Sequence, residues 1–198
     1  DLLTSRGLGD VYKRQILTDA DKSKVNIQGA YTGDNYHVSA TFTTQNNGFT
    51  SGYPYFSTSG AKQADVDTDG WALRAWWRPD ETGTAVPSIS VGYDTVSFEN
   101  VSSGFKEGEG FSVGLNWSDM FQADDTIGIA FGQPIKGSNH TTSGTASIDP
   151  FLWEAYYSFK PNDSIEITPG IFGGSDLKST TVTNDNIFGF VVATVFKF

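Results

Sequence analysis

The sequence predicts an all-β chain, an antiparallel sheet of about nine strands, on three observations. From Val25 onward, segments of about 7 to 11 residues alternate polar with apolar side chains, which is the period of a strand whose two faces meet different surroundings. Each segment is bounded by Gly, Pro, Asn, Asp or Ser, and the connections fall by turns short and long. Composition agrees: 22 Gly and a 14% aromatic share, with only 37% hydrophobic residues, disfavour a helical bundle.

The first pair is Val25 to Tyr31 and Tyr36 to Thr44, joined by Thr-Gly-Asp-Asn, in which Gly33 and Asn35 supply the positive φ of a tight hairpin. Gly70 to Arg78 and Pro87 to Phe98 follow, then Gly110 to Trp117 and Thr126 to Gln133. Pro150 to Phe159 and Ser164 to Phe172 make the fourth pair, and Ile187 to Phe198 is the last strand. In the third pair, Phe111, Val113, Leu115 and Trp117 oppose Ser112, Gly114 and Asn116, while Ile127, Ile129 and Phe131 oppose Gly128, Ala130 and Gly132. One face is apolar and the other small or polar. A sandwich core alternates in the same way, so parity alone leaves both architectures open.

Connection length separates them. Residues 45–69, 99–109, 134–149 and 173–186 are long and polar, and the intervening connections are short. Short turns at one end and long loops at the other are the habit of a bacterial outer-membrane barrel. Tyr31, Tyr36, Trp77, Trp117, Phe159 and Phe198 share the apolar parity and sit beside a short turn or the C-terminus, as an interfacial aromatic girdle does. Trp71, Phe111 and Phe151 mark the opposite strand ends, and ordinary cross-strand aromatic pairing in a core is the less favoured alternative, because the rings mark strand ends so consistently. The longest near-continuous apolar stretch, Phe188 to Phe196, is too short for a spanning helix, whereas a spanning strand needs only about 9 to 11 residues. The expectation is a transmembrane β-barrel of the outer-membrane porin type, here an incomplete barrel of about nine strands.

Several chemistries are excluded. The chain has no Cys, so disulfides, Cys-ligated zinc and cysteine nucleophiles are absent. Its two His, His37 and His140, cannot form a multi-histidine centre, and a net charge of -10 without a basic cluster argues against nucleic acid. Enzyme readings fare poorly: Glu154 and Glu166 share a parity on neighbouring strands, but no nucleophile elbow or phosphate loop accompanies them. Asp65, Asp67, Asp69 and Gly70 form the opening of a calcium loop, yet Trp76 stands where the closing Glu belongs. A solvated acidic loop is the simpler reading, and calcium at 65–70 is the one cofactor considered.

Residues 1–15 match nothing in the later periodicity and resemble peptide translated from sequencing-adapter DNA. The only Met is Met120, so the chain reads as starting inside a longer protein, with residues 16–198 as the C-terminal part of a barrel domain.

The chain closes on Val-Phe-Lys-Phe, with Phe196 and Phe198 resembling the C-terminal signal read by the barrel assembly machinery. The stretches MFQADDTIGIAFGQP, DPFLWEAYYSFKPNDSIEITPGIFGGSD and FGFVVATVFKF resemble the C-terminal half of carbohydrate-selective porins of the OprB family. WALRAWWRP and ISVGYDT resemble strands of its cyanobacterial, iron-uptake branch, whose members often carry a surface-layer-homology domain. The resemblance implies a barrel of about 16 strands that passes small hydrophilic solutes, sugars and inorganic ions, across the bacterial outer membrane. By parity, Gln28, His37, Arg74, Arg78, Asp94, Glu154, Glu166 and Lys197 are expected to line the lumen, and salt-bridged wall residues without selectivity are an equal alternative. Expected partners are outer-membrane lipid, the assembly machinery, the solutes and, for the oligomer, a homotrimer. The contrasting reading is a soluble or surface-exposed all-β carbohydrate-binding module.

Overall fold

The computed structural model describes residues 23–46, 66–99, 101, 104–142, 148–177 and 186–197. The expectations for residues 1–15, Asp65 and Phe198 lie outside these. Nine strands follow one another: β1 (Ser23–Thr32), β2 (Tyr36–Asn46), β3 (Asp67–Trp77), β4 (Ser88–Glu99), β5 (Phe105–Ser118), β6 (Thr126–His140), β7 (Phe151–Asn162), β8 (Ile165–Ser175) and β9 (Ile187–Phe196). They form one sheet in which each strand pairs antiparallel with its sequence neighbours, from β1 to β9 without a crossover. Among the described residues no helix is long and apolar enough to cross a membrane.

The register carries the sequence parity across the whole sheet. One row runs Thr32, His37, Trp76, Ser90, Gly114, Ala130, Glu154, Phe172, Gly189. The adjacent row runs Tyr31, Val38, Ala75, Val91, Val113, Phe131, Trp153, Gly173, Phe188. Because side chains alternate along every strand, the first row belongs to a mostly polar face and the second to an apolar one. The apolar face is uncovered: Ile27 is 64% exposed and Phe190 79%. A continuous apolar surface of this kind is a liability in water and is solvated in lipid.

Several boundaries differ from the sequence expectation, and three of them bear on the polar face. β3 begins at Asp67, so Asp67 and Asp69 are strand residues opposite Glu99 and Ser97. β5 and β6 run further than predicted, with 14 and 15 residues against 10 to 12 in the other strands. The β4–β5 connection therefore shrinks to residues 100–104, shorter than the 78–87 connection at the other end, and loop length does not alternate strictly. Polar cross-strand pairs sustain the extension where apolar alternation has ended. Glu109 faces Lys136 and Glu107 faces Ser138, and the Asn139 amide donates to Glu107 Oε1 at 3.0 Å.

The extended part is offset by a bulge. Phe111 pairs with Gln133 but Glu109 with Lys136, so β6 carries one extra residue at Pro134–Ile135. Proline, which has no N–H to offer a ladder, fits such a position. Parity inverts there, and Ile135 packs against the buried cluster of Val66, Val96, Phe98 and Phe105. Val96 and Phe98 share the face of Asp94, so this core lies on the polar side of the sheet, at the long-connection end.

Candidate functional site

The polar face gathers the charged residues that parity singles out. Gln28 faces Thr41, His37 faces Trp76, and Arg74 faces Ser39 and Gly92. Asp94 faces Ala72 and Gly110, Glu154 faces Ala130 and Phe172, and Glu166 faces Val195. Arg78 and Lys197 follow β3 and β9 with the same parity. All eight thus lie on one side of the sheet.

Arg74 and Asp94 form a forked pair, with Nη2 at 2.7 and 2.8 Å from the two carboxylate oxygens. Nη1 of the same guanidinium donates to the carbonyls of Leu73 at 2.8 Å and Tyr93 at 3.2 Å. The side chain lies across Gly92, where a Cβ would sit 3.3 Å from Arg74 Cδ and 2.7 Å from Ser112 Oγ. Glycine at this position lets the arginine lie flat against the wall.

Toward the short-turn end, the His37 and Trp76 rings stack with centroids 6.1 Å apart, and the Arg78 guanidinium lies 5.7 Å from the Trp76 ring centre. Thr32 Oγ1 is 2.8 Å from His37 Nδ1, and Arg78 Nη2 donates to the Asp34 carbonyl at 3.0 Å. On β7 the Tyr156 ring lies directly over Gly128, which has no side chain to displace it, and its hydroxyl accepts from Asn116 Nδ2 at 3.1 Å. Ser158 donates to Glu166 Oε1 at 2.9 Å and accepts from Thr168 Oγ1 at 2.9 Å.

Between these banks, the polar face of β4, β5 and β6 is small at Ser88, Ser90, Gly114, Gly128 and Ala130. The result is a recess of about 510 Å³ bordered by Trp76, Arg78, Asn116, Glu154 and Tyr156. A second recess of about 510 Å³ borders Asp94, Ser112 and Glu154. Sequence reasoning missed Trp76, Tyr156 and Asn116. Their signal was present: Trp76 shares the parity of Arg74 and Arg78, and Tyr156 that of Glu154. The polar face is also not polar throughout, since Phe172, Val191 and Val195 carry apolar surface onto it at the β8–β9 side.

On the apolar face, Tyr31, Tyr36, Trp77, Trp117 and Phe159 all stand near the short-turn end. Tyr31 and Tyr36 meet at 5.8 Å, Trp117 Nε1 donates to the Ala85 carbonyl at 3.0 Å, and Phe159 stacks on Tyr157 at 5.4 Å. Trp71 and Phe151 contact Phe42 and Phe131 at the opposite ends. Phe196 faces Ile165 and is 58% exposed.

The β5–β6 turn holds a buried carboxylate. Asp125, 1% exposed, accepts the backbone N–H groups of Met120, Phe121 and Gln122 at 2.7, 2.9 and 3.1 Å, and the Tyr157 hydroxyl at 3.0 Å. Burial pushes its pKa up, but these donors together outweigh burial and hold it below the ordinary Asp value. Among the described residues no three carboxylate or imidazole groups converge as a metal site.

A family model described as the carbohydrate-selective porin, OprB family, matches residues 5–196. The fold is similar to that of a solved structure, the outer-membrane expressed OmpT of Vibrio cholerae, with a TM-score of 0.55 over 90% of this chain and 14% sequence identity. The chain spans 57% of the length of that protein. A search of curated proteins gave no match.

Proposed function

This chain belongs to the OprB family of carbohydrate-selective porins and to the bacterial outer membrane, and from that premise we propose that its polar face lines a water-filled channel for passive diffusion of sugars and inorganic ions. The observation that carries the reading is the two-faced sheet, one residue thick, apolar and uncovered on one side, hydroxylated, charged and glycine-floored on the other. Lipid is the partner of the first face and water of the second. Small residues on β4 to β6 leave room for solute, while Trp76, Tyr156 and Asn116 offer flat rings and an amide to hydroxyl-rich molecules. A soluble carbohydrate-binding module accounts for the polar face but leaves the apolar one in water. The assembly machinery reading the last strand, three copies in the membrane, and membership of the cyanobacterial branch complete the proposal.

The test is swelling of liposomes that carry the intact gene product. Sugars are expected to enter, and Trp76→Ala with Tyr156→Ala should slow sugars more than chloride salts of similar size. A protein that stays monomeric in water without detergent would overturn the reading.

A further inference from the structure

We infer that Glu154 sets a cation preference in the channel, while the Arg74–Asp94 pair beside it is electrically silent. This rests on the channel reading above and deepens it. The two carboxylates border the same recess yet differ in company. Asp94 is matched by a guanidinium at 2.7 Å that two carbonyls also fix, so the pair presents a dipole whose field falls off quickly. Glu154 makes no hydrogen bond or ion pair among the described residues. Its row explains why: Ala130, Gly114 and Ser90 lie beside it across β6, β5 and β4, and none carries a cation. Arg78 borders a recess with Glu154, but its guanidinium lies over Trp76 and donates to the Asp34 carbonyl and forms no ion pair with Glu154, and the lysines nearest in sequence are engaged elsewhere. Lys160 reaches Asp124 in the β5–β6 turn at 3.4 Å, and Lys136 is held by Asp149 beyond the bulge. Glu166, the other carboxylate on this side of β7–β8, accepts a hydrogen bond from Ser158 and lies nearer the turn.

An uncompensated carboxylate about 8 Å from a passing ion, in a water-like dielectric at 0.1 M salt, changes the cation-to-anion ratio by about twofold. At 1 M salt the screening length falls to about 3 Å and the preference should fade.

The experiment measures reversal potentials of the full-length protein in planar bilayers across a potassium chloride gradient. Wild type is expected to favour potassium, and Glu154→Gln to lower the permeability ratio about twofold with little change in conductance at 1 M salt. Glu154→Asp should keep the preference. Ala130→Lys, which places a cation directly opposite Glu154 without altering it, should abolish the preference and serves if the glutamine variant fails to assemble. Asp94→Asn, which frees the Arg74 charge, should move selectivity toward chloride. Conducting Glu154→Gln or Ala130→Lys channels with an unchanged reversal potential would overturn the inference and leave the channel reading intact. Absence of any conductance from the assembled wild type would overturn both.

Discussion

Asp125 shows how one side chain organises a turn that has little else to hold it. Asp119 and Asp124 both take positive φ, at 59° and 62°, conformations that cost a non-glycine residue and persist only when their surroundings impose them. The buried carboxylate supplies that constraint by collecting three successive backbone N–H groups. Since its folded pKa lies below the unfolded value of about 3.9, its contribution is complete above that value and is lost as pH falls through the folded pKa. Asp125→Asn should therefore lower the unfolding temperature at pH 7 by several degrees and narrow the difference from wild type below about pH 4. Thermal unfolding in detergent at the two pH values checks this, and equal destabilisation at both would refute the charged role. Neither this cradle nor the Tyr156 ring over Gly128 was legible in the sequence. Parity assigns a side chain to a face, but not which backbone groups a turn will aim at it or which neighbour will leave space for it.

At the scale of the strand, the sequence was informative wherever each residue meets either lipid or the polar side. The nine strands and both aromatic ends follow from alternation. It failed where polarity takes over: Asp67, Glu107, Glu109 and Lys136 read as loop, but their backbones pair, and around Glu107, Glu109 and Lys136 polar side chains match across the ladder. The bulge at Pro134–Ile135 was hidden for a related reason, since one added residue inverts parity without any composition signal beyond the proline. Neighbouring positions on β6 test the two faces directly. Ile129 packs beside Leu115 and Ala155 on the apolar side, while Ala130 sits between Gly114 and Glu154 on the polar one. Ile129→Lys should destabilise the membrane-inserted protein by about 2–4 kcal/mol, as a cation facing the middle of a bilayer does. Ala130→Lys should cost much less. Denaturant titration in liposomes measures both, and equal costs would mean that the two faces meet the same solvent.

For the whole molecule, the deciding quantity is closure. Among the described residues β1 hydrogen-bonds only to β2 and β9 only to β8, so each presents one row of backbone groups without a partner in this sheet. Water satisfies such a row at a soluble edge. In hydrocarbon nothing does, and each unpaired group costs several kcal/mol, which is why membrane sheets close on themselves. The apolar residues Ile27, Phe188 and Phe190 place both edge strands in the lipid-facing wall, so neither edge can rely on water. The free sides of β1 and β9 are therefore expected to find strand partners in the assembled barrel. Alternation could not reveal this, because parity describes the faces of a sheet and says nothing about its margins. Hydrogen exchange on the full-length protein in bilayers resolves the question residue by residue. The amides of β1 between Ile27 and Tyr31 should exchange as slowly as their neighbours on β2, including those that point away from β2. If the outward-pointing set instead exchanges as fast as the 78–87 turn, the edge is open to water, and the two-faced sheet would have to be housed in something other than a closed barrel.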